Sequence, residues 1–208
     1  MAVDGPSGSG KTSLAAPLAA AVSAVLGGDV IRPGRLRDGD SSAPDERDRS
    51  DSSSTLRTCS AGRVKAIAGD RSKVTVVSTD LLATWEHPLD WWPLLEQHLL
   101  APLAAGIAAE LPVVQWVLGH PRPGGSVHVP AVDVLVLEGV SSGRRAVADR
   151  LSALIWVEVP DSARRLERAV ERDGEAMRPF LARWQRDEQL HFRDDRTRDR
   201  ADIAITPP

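Results

Sequence analysis

The stretch that decides the fold is "VDGPSGSGKTS", which runs from Val3 to Ser13. It fits the pattern G-x-x-x-x-G-K-[ST] at every fixed position. Its glycines let the backbone turn amide groups inward around phosphate oxygens, and the helix that follows adds its positive end. The pattern predicts a phosphate-binding loop between a strand and a helix. The residues expected to contact a nucleotide are Gly5, Pro6, Ser7, Gly8, Ser9, Gly10, Lys11, Thr12 and Ser13.

Two side chains of the loop have separate expected roles. Lys11 would reach the β- and γ-phosphates of the nucleotide, and the hydroxyl of Thr12 would hold Mg²⁺. These roles are shared by kinases, ATPases and switch proteins, so the loop predicts nucleotide binding without choosing among them.

Composition and charge restrict the partners. The chain has 208 residues, a net charge of −3 and 42% apolar residues, which favours a single domain spanning 1–208. The balanced charge gives no electrostatic reason to expect nucleic acid or an anionic membrane as partner. The single cysteine, Cys59, cannot form an internal disulfide, and no apolar run is long enough to span a membrane. We therefore expect a cytoplasmic protein, with its oligomeric state left open.

Strands and helices alternate along most of the chain. Helices are expected over 10–26, 88–105, 161–172 and 175–192, and strands over 1–4, 74–80, 131–139, 153–159 and 201–205. This order predicts an α/β three-layer sandwich around a mainly parallel five-stranded sheet, with ligands at the carboxyl ends of the strands. Residues 33–72 are rich in Ser, Asp, Arg and Pro, so a disordered insert is expected there, with a regulatory or partner-binding segment as the alternative.

The end of the second predicted strand supplies a candidate catalytic group. Asp80 would project at the same sheet edge as the phosphate loop, where its carboxylate could accept the proton of an attacking hydroxyl. Capping the next helix is an alternative role for the same side chain. Glu138, at the end of "VLVLEGV", is expected at this edge too, where it could hold the metal through water or position an acceptor.

The segment between Leu81 and His120 contains no Lys and no Arg. An acceptor that already carries a phosphate would ordinarily need a guanidinium group here, so the segment favours a neutral hydroxyl compound. Carboxylates can accept hydrogen bonds from sugar hydroxyls, and tryptophans could stack on a base or fill the core instead. The expected acceptor-binding residues are Glu86, His87, Asp90 and Trp116.

The predicted helix at 161–172 carries arginines at a spacing of four residues. Arg164, Arg168 and Arg172 would share one helical face and could close as a lid over the transferring phosphoryl group. Glu167 and Glu171 permit the alternative of a solvated face with ion pairs inside the helix.

These motifs, in this order, resemble the uridine kinase (uridine-cytidine kinase) family of phosphate-loop kinases, especially its shorter bacterial members. The resemblance covers nearly the whole chain except 32–72. The stretches that carry it are "DGPSGSGKTS", "STDLL", "WEHPLDWW", "VLVLEGV", "RRLERAVERDG" and "RADIAI".

The resemblance implies phosphorylation of a nucleoside 5′-hydroxyl by ATP or GTP with Mg²⁺. Asp80 matches the catalytic base of the family, Glu86 a ribose-binding aspartate, and Glu138 an acidic residue near the metal. Arg168 and Arg172 match the lid arginines. The first strand of the family usually begins several residues earlier than it does here.

Other positions depart from the family pattern. Leu81 and Leu82 replace a tyrosine-containing motif, and Ala169 stands where a second arginine is common. These differences leave the acceptor open, including another neutral polyol. A nucleotide-binding or ATPase module that acts through a partner is the alternative from a different class.

Overall fold

The structure is a computed structural model that describes residues 1–35 and 73–207. Within these ranges, nine strands form two sheets. The strands are β1 (Ala2–Asp4), β2 (Asp29–Val30), β3 (Gly34–Arg35), β4 (Lys73–Ser78), β5 (Ala109–Val117), β6 (His120–Val129), β7 (Val134–Glu138), β8 (Leu154–Val157) and β9 (Ile203–Ile205).

The main sheet has the strand order β2-β4-β7-β1-β8-β9, and each neighbouring pair is parallel. The expected α/β fold with a mainly parallel sheet is therefore confirmed. The expected number of five strands is wrong, because β2 adds a sixth strand at the edge. With two exposed residues, β2 carries no apolar pattern that sequence analysis could detect.

In the part of the chain that the structure describes, five α-helices accompany the sheets: α1 (Lys11–Leu26), α2 (Trp92–Leu95), α3 (Ala101–Ala104), α4 (Ser162–Asp173) and α5 (Arg178–Asp195). The helix expected from 88 starts instead at Trp92, with Pro93 in the first turn, where proline is tolerated. A π-helical turn at Glu96–Leu100 joins α2 to α3. Among the helices of the described ranges, none combines the length and apolar character needed to cross a membrane.

The second sheet was not predicted. It is antiparallel, with the order β3-β6-β5, and its β5–β6 hairpin covers a stretch to which the sequence assigned no element. Prolines and glycines within the hairpin hide its alternating pattern. Gly34 and Arg35, which fall in the predicted insert, pair with β6. Residues 36–72 of that insert lie outside the described residues.

The core lies on both faces of the main sheet. On one face, α1 packs through Ala19 against Val3, Val74 and Val136, and on the other Leu95 and Leu99 pack with the hairpin. All three residues of β1 are buried, because the strand lies between β7 and β8 in the middle of the sheet. The loop after β1 therefore starts at the centre of the carboxyl edge.

Candidate active site

The backbone of the phosphate loop takes positive φ angles at its glycines, a conformation that other residues rarely adopt. Gly5, Gly8 and Gly10 have positive φ angles of 144°, 73° and 93°. A Cβ atom on Gly5 would lie 2.0 Å from the carbonyl oxygen of Val157, and one on Gly8 would lie 2.7 Å from that of Arg165. Glycine is required at both positions because the loop passes so close to neighbouring backbone.

Asp4 anchors the start of the loop. Its buried carboxylate accepts hydrogen bonds from the backbone N–H groups of Gly5, Ser141 and Gly143 at 2.7–2.8 Å. Burial raises the pKa of Asp4 to about 6, although these bonds and the charge of Lys11 act against the rise. The carboxylate thus ties the end of β1 to the turn that follows β7.

Lys11 lies within the phosphate loop and is largely buried. Its Nζ donates a hydrogen bond to the carbonyl oxygen of Pro6 at 2.9 Å. The ammonium group is therefore inside the curve of the loop, where the sequence pattern places the contact with phosphate.

Thr12 and Glu138 meet beside the loop. The Thr12 hydroxyl lies 3.3 and 3.4 Å from the two carboxylate oxygens of Glu138, within reach of a hydrogen bond. Burial raises the pKa of Glu138, and the charge of Asp80 adds to the rise, whereas Ser78, Lys11 and Thr12 lower it.

These two side chains fit Mg²⁺. A hydroxyl and one carboxylate beside a phosphate loop are the hard oxygen ligands with which Mg²⁺ is usually held, the nucleotide phosphates and water completing its shell. The described residues contain no group of three or more His, Cys, Asp or Glu side chains that could hold a metal without such help.

A cavity of about 760 Å³ opens beside the loop. It brings together the loop, the two exposed carboxylates of Asp80 and Asp173, two arginines and a wall of aromatic and apolar side chains. The side chains and glycines that line it include Ser7, Gly8, Gly10, Lys11, Thr12, Asp80, Arg168, Arg172, Trp85, Trp116, Met177, Leu181 and Trp184.

Asp80 lies just beyond the end of its strand. β4 ends at Ser78, and Asp80 belongs to a single turn of helix at Thr79–Leu81, where the Ser78 hydroxyl accepts the N–H of Asp80 at 3.3 Å. The Asp80 side chain is exposed at the cavity and is close enough to influence the pKa values of both Glu138 and Arg172. Ser78 therefore serves as the cap, and the Asp80 carboxylate faces the cavity.

Two of the three candidate lid arginines line the cavity. Arg168 and Arg172 do so, whereas Arg164 is not among the residues that line it. Arg172 forms two hydrogen bonds of 2.7 Å with Asp173, and these are the main cause of its raised pKa. Glu167 pairs with Arg178 of α5 at 2.6 Å, so this ion pair joins two helices and is not one of the pairs inside the helix that the alternative expected.

The expected acceptor residues are divided between the cavity and the surface. Trp116 lines the cavity and packs edge-to-face on Trp85 at 4.9 Å between ring centroids. The exposed side chains of Glu86, His87 and Asp90 lie outside the lining, and His87 contacts Asp90 at 3.3 Å. Trp85 points inward and its indole N–H donates to Gly119, which leaves the residues after it facing solvent.

Sequence reasoning missed the contribution of α5. Leu181 and Trp184 line the cavity, and Glu188 contacts the phosphate loop. Their spacing of three and four residues places them on one face of the helix, and this spacing was the signal that could have found them. Sequence reasoning also missed Arg144, which comes from the turn after β7 and stacks on Trp91 at 4.4 Å from the ring centroid.

The fold of this chain is similar to the folds of solved proteins, although its sequence matches no known family. No family model and no curated protein matches the chain. Among solved structures, it is similar to a protein of Bacillus stearothermophilus described as a possible uridine kinase, with 15% identity, a TM-score of 0.54 and coverage of 98% of this chain and 86% of that one. A protein of Silicibacter sp. TM1040, described as a candidate fructose transport system kinase, has 17% identity, a TM-score of 0.47 and coverage of 98% and 87%. The first likeness shows that this chain shares the fold of that protein.

Proposed function

We propose that the protein is a kinase that transfers the γ-phosphoryl group of ATP or GTP to the hydroxyl group of a neutral small molecule. The 5′-hydroxyl of a nucleoside is the leading acceptor. The observation that carries the proposal is the cavity in which the phosphate loop, the Asp80 carboxylate and two arginines face an aromatic wall. The resemblance to uridine kinases and the shared fold support the same reaction.

The loop would bind the donor. Its amide groups and Lys11 would hold the β- and γ-phosphates, and Thr12 with Glu138 would hold the metal. When bound, Mg²⁺ neutralises charge that develops on the phosphates. The protein's part in this step is to fix the phosphates in line with the acceptor.

Asp80 would act on the acceptor. The acceptor oxygen forms a bond to the γ-phosphorus while the bond from that phosphorus to the bridging oxygen breaks, and the nucleoside diphosphate leaves. The proton of the acceptor hydroxyl passes to the Asp80 carboxylate. Arg168 and Arg172, both at the cavity, would stabilise the negative charge on the transferring group.

The wall favours an acceptor with a ring system. Trp85, Trp116 and Trp184 offer flat faces and edges on which a base could pack, with centroid distances of 4.9 and 5.6 Å from Trp85 to the other two. In the described lining, the cations are Lys11 of the loop and the lid arginines, and none is supplied by the aromatic wall. This arrangement suits an uncharged acceptor.

The test is acceptor dependence. Purified protein with MgATP is incubated with a panel of nucleosides and polyols, and ADP and the phosphorylated product are measured. We expect ADP formation to require a nucleoside and to fall by about 10²- to 10⁴-fold in Asp80→Asn. Asp149→Asn, which removes an exposed carboxylate outside the cavity lining, is the control and should behave as wild type.

Two results would change the proposal. ADP formation that needs no acceptor and survives Asp80→Asn would identify an ATPase module instead of a kinase. If a polyol is phosphorylated and no nucleoside is, the protein is a kinase of the proposed type, but its acceptor is not a nucleoside.

A further inference from the structure

Glu188 in α5 reaches the phosphate loop from near the other end of the chain. Its Oε2 and Oε1 accept the backbone N–H of Ser7 at 2.9 and 3.1 Å, and the Ser7 hydroxyl also donates to Oε2. The residue is 1% exposed. Because these bonds converge on one residue, Glu188 fixes both the backbone and the side chain of Ser7.

A carboxylate is a costly group to bury at this position. Burial raises the pKa of Glu188, against the effect of the Ser7 hydrogen bonds and the charges of Lys11 and Arg165. An apolar side chain of similar size would fill the space between α5 and the loop without that cost. Packing alone therefore does not explain a glutamate here, whereas the need for an acceptor of the Ser7 N–H does.

The contact bears on the shape of the loop. Ser7 directly precedes Gly8, and both Gly5 and Gly8 have positive φ angles, so an unsupported backbone here would sample many conformations. The Asp4 carboxylate accepts a hydrogen bond from the N–H of Gly5, and the Glu188 carboxylate accepts one from the N–H of Ser7. These two carboxylates fix the first half of the loop, and the amides that face phosphate are then arranged before any ligand arrives.

The same helix also forms part of the cavity wall. Leu181 and Trp184 line the cavity, and Glu188 lies one turn further along the same face of α5. A displacement of α5 would move the wall and the loop together.

We propose that Glu188 is a positioning residue that holds the phosphate loop in its nucleotide-binding shape through Ser7. The inference rests on the proposed binding of a nucleotide at the loop. It predicts that Glu188 sets nucleotide affinity without touching the nucleotide.

The experiment measures the Kd for MgADP by calorimetry, together with the Tm of each variant. Glu188→Ala should weaken binding about 10-fold or more, since it removes hydrogen bonds to a charged acceptor. Glu188→Gln, which keeps the shape and one acceptor oxygen, should weaken it less. The matched control is Asp187→Asn, which removes the neighbouring carboxylate, 3.8 Å from Arg183, and should bind as wild type.

Ser7→Ala separates positioning from a general loss of stability. It removes the hydroxyl bond to Glu188 and should weaken MgADP binding by itself, but it should add little in the Glu188→Ala background because the two residues act through one contact. A merely structural role for Glu188 would lower the Tm and leave the affinity of the folded variants unchanged.

The outcomes are distinguishable. Wild-type affinity in both Glu188→Gln and Ser7→Ala would overturn the inference, and these two variants decide the matter if Glu188→Ala does not fold. Failure of the wild-type protein to bind MgADP would overturn the proposed function, and the inference with it.

Discussion

The Thr12 hydroxyl lies 3.3 Å from Oε2 of Glu138, although 126 residues separate the two along the chain. The contact exists because β1 and β7 are neighbours in the sheet, with Val3 paired to Glu138. The loop after β1 and the end of β7 therefore meet at one edge, where the buried carboxylate faces the first turn of α1.

Replacing Glu138 by Gln tests this pair as part of a metal site. The amide keeps the shape of the side chain but removes its negative charge. We therefore expect the rate of phosphoryl transfer to fall by about 10- to 100-fold, which is the usual loss when a side chain that contacts a metal ligand is replaced. The Mg²⁺ concentration for half-maximal activity should rise. Glu96→Gln, at an exposed pair with Arg150, is the control. A Mg²⁺ dependence equal to that of wild type would contradict the assignment.

Asp4 should make the stability of the protein depend on pH. Its pKa is about 6 in the folded protein against an ordinary value of 3.8, so the folded state binds the proton more tightly. The stability from this group is greatest below pH 3.8 and is lost as pH rises towards about 6, by about 3 kcal/mol in total.

The comparison with Asp4→Asn isolates that effect. Urea unfolding of both proteins across this pH range should give a difference in unfolding free energy that shifts against wild type as pH rises. Glu138 and Glu188 also have raised pKa values, but they are present in both proteins and cancel. A difference that does not vary with pH would show that the Asp4 carboxylate titrates normally.

Two glycines with positive φ provide a matched pair of substitutions. Gly27 ends α1 at φ +64° with nothing within 4 Å of an added Cβ, so Gly27→Ala should cost about 1–2 kcal/mol of stability from backbone strain. Gly5→Ala adds a contact of 2.0 Å with the backbone oxygen of Val157 and should cost about 4 kcal/mol or more. Denaturant unfolding measures both, and equal losses would mean that the loop can move away from β8.

An arginine at position 169 should not strengthen the lid. Ala169 is 4% exposed and packs with Val170 and Leu181, so Ala169→Arg would force a guanidinium group into an apolar cluster. We expect a lower Tm and no gain in turnover. Arg168→Ala should instead keep the Tm and reduce kcat by about 10²-fold, because Arg168 lines the cavity. Higher turnover in Ala169→Arg at unchanged Tm would contradict this placement.

Much of the fold could be predicted because its signals are local. The strands that form β4, β7 and β8 are apolar runs, and the charged helix α4 begins after Asp161, whose carboxylate accepts the N–H groups of Ala163 and Arg164. β2 and the β5–β6 hairpin lack such signals. β2 pairs with β4, which lies beyond residues 36–72 in the chain, so no local pattern records this pairing. β5 and β6 are consecutive and pair with each other, but the prolines and glycines within them hide the alternating pattern of a hairpin.

The candidate site likewise contains some residues that could be predicted from the sequence and others that could not. The phosphate-loop residues were predictable because the loop is one continuous stretch whose glycines must take positive φ angles. The spacing of Arg168 and Arg172 by four residues likewise placed them on one helical face. The exposed positions of Glu86, His87 and Asp90 were not predictable, because they depend on Trp85 turning inward to bond Gly119.

The sequence by itself determined that a phosphate loop follows a strand and opens a helix in an α/β chain, because glycine, lysine and threonine at fixed spacing specify the local backbone. The tertiary structure alone decided which distant side chains complete the site. Glu138 reaches Thr12 through strand order, and Glu188 reaches Ser7 through the packing of α5. Contacts between residues more than a hundred positions apart follow from how the elements pack, and that packing is a property of the whole core.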